Sequence, residues 1–369
     1  MKHGIVGRFT EGWYLYQGWP TVAKDKDGVV YVAASGNRLA HVCPFGKDLM
    51  YTSHDEGETW SMPQIINDTK LDDRDPGLVC WGEGNMLLSW FNNTDDEGVY
   101  SDPARVQRWP NLGEPYSKAM LEKWKEVPRE EFGSFTKISH DNGKTWSAPR
   151  KCPVTAPHGP IRREDGSFFY VGTERLSDLD VPADAVCAVQ SFDEGATWEF
   201  VSELPAPKMY NGNKVTAVCE PHCVDLGDNE ILAAIRCVTT GDENEVGASF
   251  RMTMYTCRSL DGGKTWDEPV FMDRYGAPPF FMIHSSGALV LSFGRRVAPH
   301  GQYVRVSYDK GHTWSEDVMI GPESPVTDQG YPSTIELSNG DLLTVYYQRC
   351  PGDDYCSILY TRWNLSELK

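Results

Sequence analysis

A chain of 369 residues, 40% hydrophobic and 12% aromatic, has material for a large core and is too apolar to be disordered. Its 53 acidic residues outnumber 35 basic ones, and the net charge of −18 argues against non-specific binding to nucleic acid or anionic membranes, while an acidic ligand can still be held where arginines converge. No apolar run reaches the roughly 18 residues of a membrane span, and MKHGIVGRF lacks the apolar stretch of a signal peptide. The ten cysteines form neither a CxxC pair nor a short disulfide framework, so the expectation is a cytoplasmic chain with reduced thiols, or a secreted one if a leader was trimmed.

Taken in chain order, six segments share one pattern. A short apolar strand opens at or beside a proline, a polar glycine-containing turn follows, and a second apolar strand returns. They read WPTVAKDKDGVVYVAA from Trp19, DPGLVCWGEGNMLLSW from Asp75, HGPIRREDGSFFYVG from His158, EPHCVDLGDNEILAAIR from Glu220, APPFFMIHSSGALVLSFGRR from Ala277 and YPSTIELSNGDLLTVYYQ from Tyr331. Each of the first five is followed by one further motif: SHDEGETW from Ser53, SHDNGKTW from Ser139, SFDEGATW from Ser191, SLDGGKTW from Ser259 and SYDKGHTW from Ser307. In S-x-D-x-G-x-T-W the Asp accepts hydrogen bonds from N–H groups of its own turn, the Gly permits a positive φ, and the Trp packs between neighbouring sheets. These are turn and packing residues. They locate sheets and do not identify a substrate.

The sixth pair is followed by YCSILYTRW, a third strand, and the N-terminal segment, about residues 4–16, supplies the missing outer strand. The implied fold is all-β, a single domain over residues 1–369 built as a closed six-bladed β-propeller. Blade two carries an insertion over about residues 92–131 with a short helix predicted from about Tyr116 to Val127. Its Tyr100, Trp109 and Trp124 either stack on a ligand ring or pack the insertion down. If the first strand of each pair runs down the central funnel, its opening residue lies at the top and every S-x-D-x-G-x-T-W turn at the bottom. Trp19, Asp75, His158, Glu220, Pro278 and Tyr331 then ring the upper mouth, with Arg38, Arg236 and Arg295/Arg296 just outside.

The five turns are Asp boxes and resemble those of the sialidase superfamily. In that family a Glu and a Tyr opening blades four and six form the nucleophile pair, and Glu220 and Tyr331 stand at those places, the Tyr in Y-P-S-T where the family has Y-S-x-L. The resemblance implies Tyr331 as nucleophile with Glu220 as its base, because a phenol titrating near pH 10 attacks only when a neighbour takes its proton. It also implies three arginines on a substrate carboxylate. Arg236 and Arg296 fill two of these places, Arg296 being preferred to Arg295 because adjacent strand residues face opposite ways. Two features depart from the family. The stretch expected to hold the third arginine reads Tyr16-Gln17-Gly18-Trp19-Pro20, and the expected acidic Asp after Arg38 is replaced by His41 as the nearest titratable group, Asp48 lying too far along. A His near pKa 6.5 serves as general acid at neutral pH, and Asp75 is the second candidate for that proton. Arg74 either binds substrate with the DDRD cluster or neutralises its neighbours, and His158 and Trp19 face the ligand or the core.

The expected ligand is therefore a glycan with a terminal acidic sugar, hydrolysed as a glycoside. Two alternatives remain: a lyase cleaving uronic-acid polysaccharides with His and Tyr, and a propeller that only binds glycans. No metal or cofactor is expected, because neither HExxH nor a Gly-rich phosphate loop is present. Oligomeric state is not written in these motifs.

Overall fold

The computed structural model describes residues 1–12, 14–93, 114–240 and 250–368. Six antiparallel sheets surround one axis as blades of a six-bladed β-propeller, and each runs from an inner strand at the axis to an outer strand at the rim. Blade one comprises Tyr16–Lys24, Val30–Arg38, Lys47–Ser53 and Gln64–Asn67; blade two comprises Asp72–Gly82, Asn85–Asn93, Ser134–Ser139 and Arg150–Cys152. In blade six the strands Gly330–Glu336, Leu342–Arg349 and Cys356–Trp363 are completed by Lys2–Gly7 from the N-terminus, which pairs with Cys356–Trp363. The closing strand is thus shorter than the segment expected to supply it, because Tyr16 already belongs to the inner strand of blade one. Blade four has five strands, an added short one at Met209–Tyr210 pairing with the start of Asn213–Asp225.

The larger hydrophobic clusters are seams between two blades. One joins Val22, Val30 and Val32 of blade one to Leu343, Val345 and Ile358 of blade six, and another joins Phe169 and Val171 of blade three to Ile231, Ala233 and Tyr255 of blade four. Alternation along each strand delivers one set of side chains to the seam on each side. The five Asp-box tryptophans, Trp60, Trp146, Trp198, Trp266 and Trp314, all pack against such seams.

The boxes fold as their composition requires. In the first, Asp55 Oδ1 accepts from Ser53 Oγ at 2.8 Å and from Thr59 N at 2.8 Å, Asp55 Oδ2 accepts from Thr59 Oγ1 at 2.6 Å, and Gly57 sits at φ 89°. Asp141, Asp193, Asp261 and Asp309 repeat this set. All five lie between third and fourth strands, at the end opposite the strand openings.

One feature of the inner strands was not foreseen. Strands expected to open at Trp19, Asp75 and Glu220 begin earlier, at Tyr16, Asp72 and Asn213, and their pairing breaks at the expected residue. The reason is a bulge. Trp19, Asp75, His158, Glu220 and Tyr331 have φ of 52°, 52°, 75°, 49° and 55°, in the left-handed region that side chains with a Cβ ordinarily avoid. Pro278, whose ring fixes φ negative, stands in the sixth place. A bulge turns each side chain out of the strand's alternation and toward the axis.

The insertion helix is Glu114–Trp124, ending slightly before the predicted boundary. Trp124 is buried with Val42, Leu71 and Val127, so it packs the insertion against blades one and two and presents no face to a ligand. Tyr100 and Trp109 lie outside the described residues. No helix among the described residues is long and apolar enough to cross a membrane.

Candidate functional site

The bulges bring residues 111 positions apart into contact. Tyr331 Oη donates to Glu220 Oε1 at 2.6 Å, and Arg236 Nη1 donates to Glu220 Oε2 at 2.5 Å. Arg236 reaches that carboxylate because it pairs in register with Cys219, the residue before Glu220. Burial pushes the Glu220 carboxyl up, but Arg236 and the Tyr331 hydroxyl outweigh it and hold the group below its ordinary range. Tyr331 is 4% exposed, and burial followed by the Glu220 charge raises its phenol well above 10. The pair is thus a neutral phenol on an ionised carboxylate.

Arg296 joins them from the end of the second strand of blade five. Its Nε donates to the Gln329 carbonyl at 3.1 Å and its Nη2 to Tyr347 Oη at 3.0 Å. Arg295, as alternation predicts, turns the other way, over the Tyr303 ring. Nη2 of Arg236 and Nη1 of Arg296 make no hydrogen bond among the described residues.

On the other side of Tyr331 stands His41. Its side chain is 42% exposed, and its Nδ1 lies 2.9 Å from Asp328 Oδ1 and 2.9 Å from Tyr16 Oη. Tyr16 Oη also contacts both Asp328 oxygens, at 3.0 and 3.1 Å, and Tyr347 Oη donates to Asp328 Oδ1 at 3.1 Å. Desolvation lowers the imidazole pKa and Asp328 raises it; Arg74 and Arg296 lower it further, and the sum is below the ordinary value.

Asp328, Tyr16 and Tyr347 escaped the sequence reading. Tyr347 was within reach of it: Tyr347 pairs with Gly330, just before Tyr331, as Arg236 pairs with the residue before Glu220. It occupies the Arg236 place in blade six. Asp328 lies in a loop with no repeat register, so no such signal exists for it.

Arg38 is corrected from a mouth residue to a buried one. It is 0% exposed and grips Asp72 with two hydrogen bonds, Nη1 to Oδ1 at 2.5 Å and Nη2 to Oδ2 at 2.9 Å. A guanidinium so enclosed has no face for a ligand. Trp19 is likewise 2% exposed, with the Arg74 guanidinium 4.2 Å above its ring and Tyr331 and His41 edge-on to it. It forms floor between Tyr331 and His41, in the blade-one place where the family arginine was expected. Arg74 Nη1 lies 3.6 Å from Asp72 and its Nε 3.9 Å from Asp75, so the neutralising reading describes its present contacts. His158 is 4% exposed, bonded through Nδ1 to Thr21 Oγ1 at 3.1 Å and packed on Phe280 and His222. It lies below Tyr331 and is closed to solvent. Asp48 is sealed beneath the mouth against Asn67.

Asp75 is buried with Oδ1 unpaired by hydrogen bonds. Burial pushes its carboxyl up to about 7, with Arg74 opposing and Glu220 adding to the rise. In the window from about pH 4 to about 7 the folded protein keeps this proton while the unfolded chain has released it, so the group's contribution to stability falls as pH rises and then levels off. Asp75→Asn has no such proton to lose. Its stability relative to the native sequence should climb by up to about 1.4 kcal/mol per pH unit across that window in denaturant unfolding. A difference that is flat with pH would refute the assignment.

Among the described residues no group of three or more His, Cys, Asp or Glu is gathered as for a metal ion. What the geometry offers is a phenol hydrogen-bonded to an ionised carboxylate, two guanidinium groups beside them, and a carboxylate-held imidazole across the floor. Six blades joined by Asp boxes make this a BNR-type propeller. The chain belongs to the family described as the BNR repeat-like domain, whose model matches residues 118–343, and a BNR/Asp-box repeat is matched at residues 51–62. Its fold is similar to that of a protein of unknown function from Dyadobacter fermentans, at 20% identity over 98% of this chain and 97% of that one, with a TM-score of 0.74. The NanB sialidase of Streptococcus pneumoniae is similar at 13% identity over 99% and 71% of the two chains, with a TM-score of 0.66. The intramolecular trans-sialidase of Ruminococcus gnavus is similar at 15% over 97% and 96%, with a TM-score of 0.60. Among curated proteins none matches.

Proposed function

We propose that this chain is an exo-acting glycoside hydrolase that removes a terminal acidic sugar, sialic acid or a relative, with retention of configuration. The observation that carries the proposal is the 2.6 Å hydrogen bond from Tyr331 to a Glu220 carboxylate already ionised by Arg236. In the first step Tyr331 Oη attacks the anomeric carbon and its proton passes to Glu220, while the bond to the leaving oxygen breaks and that oxygen takes a proton from His41 Nε2. In the second, water attacks the same carbon, gives a proton back to His41, and Tyr331 departs with the proton from Glu220. A neutral nucleophile suits an anomeric carbon beside a carboxylate, which would repel a second anion. Arg236 and Arg296 are the groups assigned to that carboxylate, through the nitrogens not already engaged.

A second reading has one observation in its favour. His41 and Tyr16 are hydrogen-bonded to each other, the pair of groups that a β-elimination on a uronate would use as base and acid.

The test presents the purified protein with fluorogenic sialosides and uronides and with uronic-acid polysaccharide. The expected result is release of the free sugar, first formed in the configuration of the substrate, without new ultraviolet absorbance. An unsaturated, ultraviolet-absorbing product would overturn hydrolysis in favour of elimination. Binding of these glycans without turnover of any would overturn both.

A further inference from the structure

Asp328 joins two parts of the mouth that the repeats leave separate. It lies in the loop that enters blade six, three residues before Tyr331, and its side chain is 26% exposed. Its carboxylate receives His41 Nδ1 at 2.9 Å, Tyr16 Oη at 3.0 and 3.1 Å, and Tyr347 Oη at 3.1 Å. The adjacent Gln329 carbonyl and the Tyr347 hydroxyl are the two groups that hold Arg296.

We infer that Asp328 is the positioning residue of the general acid: it holds the Nδ1 proton of His41, so that Nε2 faces the substrate as the site that gains a proton in the imidazolium and gives it to the leaving oxygen. This rests on the hydrolase reading and deepens it. The chemistry follows from carboxylate and imidazole. An ionised Asp accepts only, so a ring nitrogen 2.9 Å away must donate, and the other nitrogen is left for the substrate. When His41 is protonated both nitrogens donate, the imidazolium is stabilised by the carboxylate, and the Nε2 proton is the one free to leave.

Everything that faces His41 bears on its basicity. Asp328 raises it, Arg74 and Arg296 lower it, Tyr16 Oη contacts the same Nδ1, Trp19 is edge-on to the ring, and Arg38 Nη2 donates to the His41 carbonyl. The carboxylate is the one anion in this set. It is held below the ordinary carboxylate range: burial raises it, and the His41, Arg296 and Tyr16 contacts more than offset that. It therefore stays ionised while the imidazole titrates.

The experiment compares two substrates with the same sugar. One has a sugar as leaving group, which needs a proton to depart; the other has a dinitrophenol, which does not. Asp328→Asn should cut kcat about 100-fold or more on the first and less than about 5-fold on the second. The limb of its pH profile set by the imidazole should move to lower pH by about one unit or more. His41→Ala should show the same leaving-group pattern, and the double variant should lose little beyond either single one. Equal losses on both substrates would mark Asp328 as merely structural and overturn the proposal, as would an unchanged profile. A readout independent of turnover separates failure of the proposal from failure of the hydrolase reading. Nitrogen-15 spectra of labelled histidine should show His41 protonated at Nδ1 in the native protein, and that signature should be lost in Asp328→Asn. A neutral His41 protonated at Nε2 overturns the positioning role whatever the substrate proves to be.

Discussion

Tyr331→Phe is expected to lose turnover by a factor on the order of 10⁴ or more while keeping the fold and most of the affinity for the sugar. The change removes one oxygen. The ring stays packed among Trp19, Tyr347 and His158, whose centroids lie 6.4, 5.9 and 6.4 Å away. Arg236 still neutralises Glu220 at 2.5 Å, so no buried charge is orphaned. The stability change should be about 1 kcal/mol, the worth of one hydrogen bond. What vanishes is the oxygen proposed to bond to the anomeric carbon, and no neighbour replaces it: Tyr347 Oη is committed to Asp328 and Arg296, and Tyr16 Oη to Asp328 and His41. Steady-state kinetics on a fluorogenic sialoside would measure the loss. Activity within tenfold of the native protein would remove Tyr331 from the mechanism. If the lost activity were instead a persistent formation of unsaturated product, the His41–Tyr16 pair would be the working chemistry and the Tyr331–Glu220 pair a binding element.

The fold was legible because its signals are local and repeated. The five Asp boxes each fold with their own residues, so S-x-D-x-G-x-T-W reads the same in sequence and in space. The six strand pairs fixed which residues reach the mouth. Of the six residues chosen as strand openings, the five other than Pro278, namely Trp19, Asp75, His158, Glu220 and Tyr331, share a left-handed backbone. A single sequence contains no direct sign of a bulge, so the strand starts were misplaced while the residues brought to the axis were not.

Roles were less legible than places, and the reason is burial. Arg38 and Arg236 both follow the apolar run of a second strand, and nothing in the spacing tells that one is enclosed at 0% exposure against Asp72 and the other opens toward Glu220. The difference comes from Asp72, three residues before Asp75, which reaches across from the next blade. Asp328 was invisible for the opposite reason: it belongs to no repeat, and its three partners come from blades one and six. Five residues in strained backbone at one mouth also carry a physical message. Each left-handed non-glycine residue costs about 1–3 kcal/mol, and the seams between blades must supply that stability. Such a cost is tolerated where a side chain has to point at something.

The largest effect on stability is expected away from the nucleophile, at Arg38 and Asp72. Both side chains are 0% exposed and joined by two hydrogen bonds, at 2.5 and 2.9 Å. Gly46 lies against the pair so closely that an added Cβ would meet Arg38 Nη1 at 1.9 Å and Asp72 Oδ1 at 2.0 Å. Asp72→Ala leaves a buried guanidinium without its carboxylate. The expected cost is about 3–5 kcal/mol, a fall in Tm on the order of 5 °C for a chain of this length. Replacing both members by apolar residues, Arg38→Met with Asp72→Leu, should recover much of it, because the desolvation of two charges disappears together with their attraction. The two measurements form a cycle: a double variant no better than the single one would mean that packing, not the orphaned charge, sets the cost. The pair also reaches the chemistry. Arg38 Nη2 donates to the His41 carbonyl at 3.1 Å, so a loosened Arg38 frees the loop that presents the imidazole to Asp328. Asp72→Ala should therefore lower kcat most on leaving groups that require a proton, a second-hand copy of the Asp328→Asn pattern, whereas the apolar double variant should restore the melting temperature without restoring that preference. Recovery of both together would show that the His41 loop is held by packing alone.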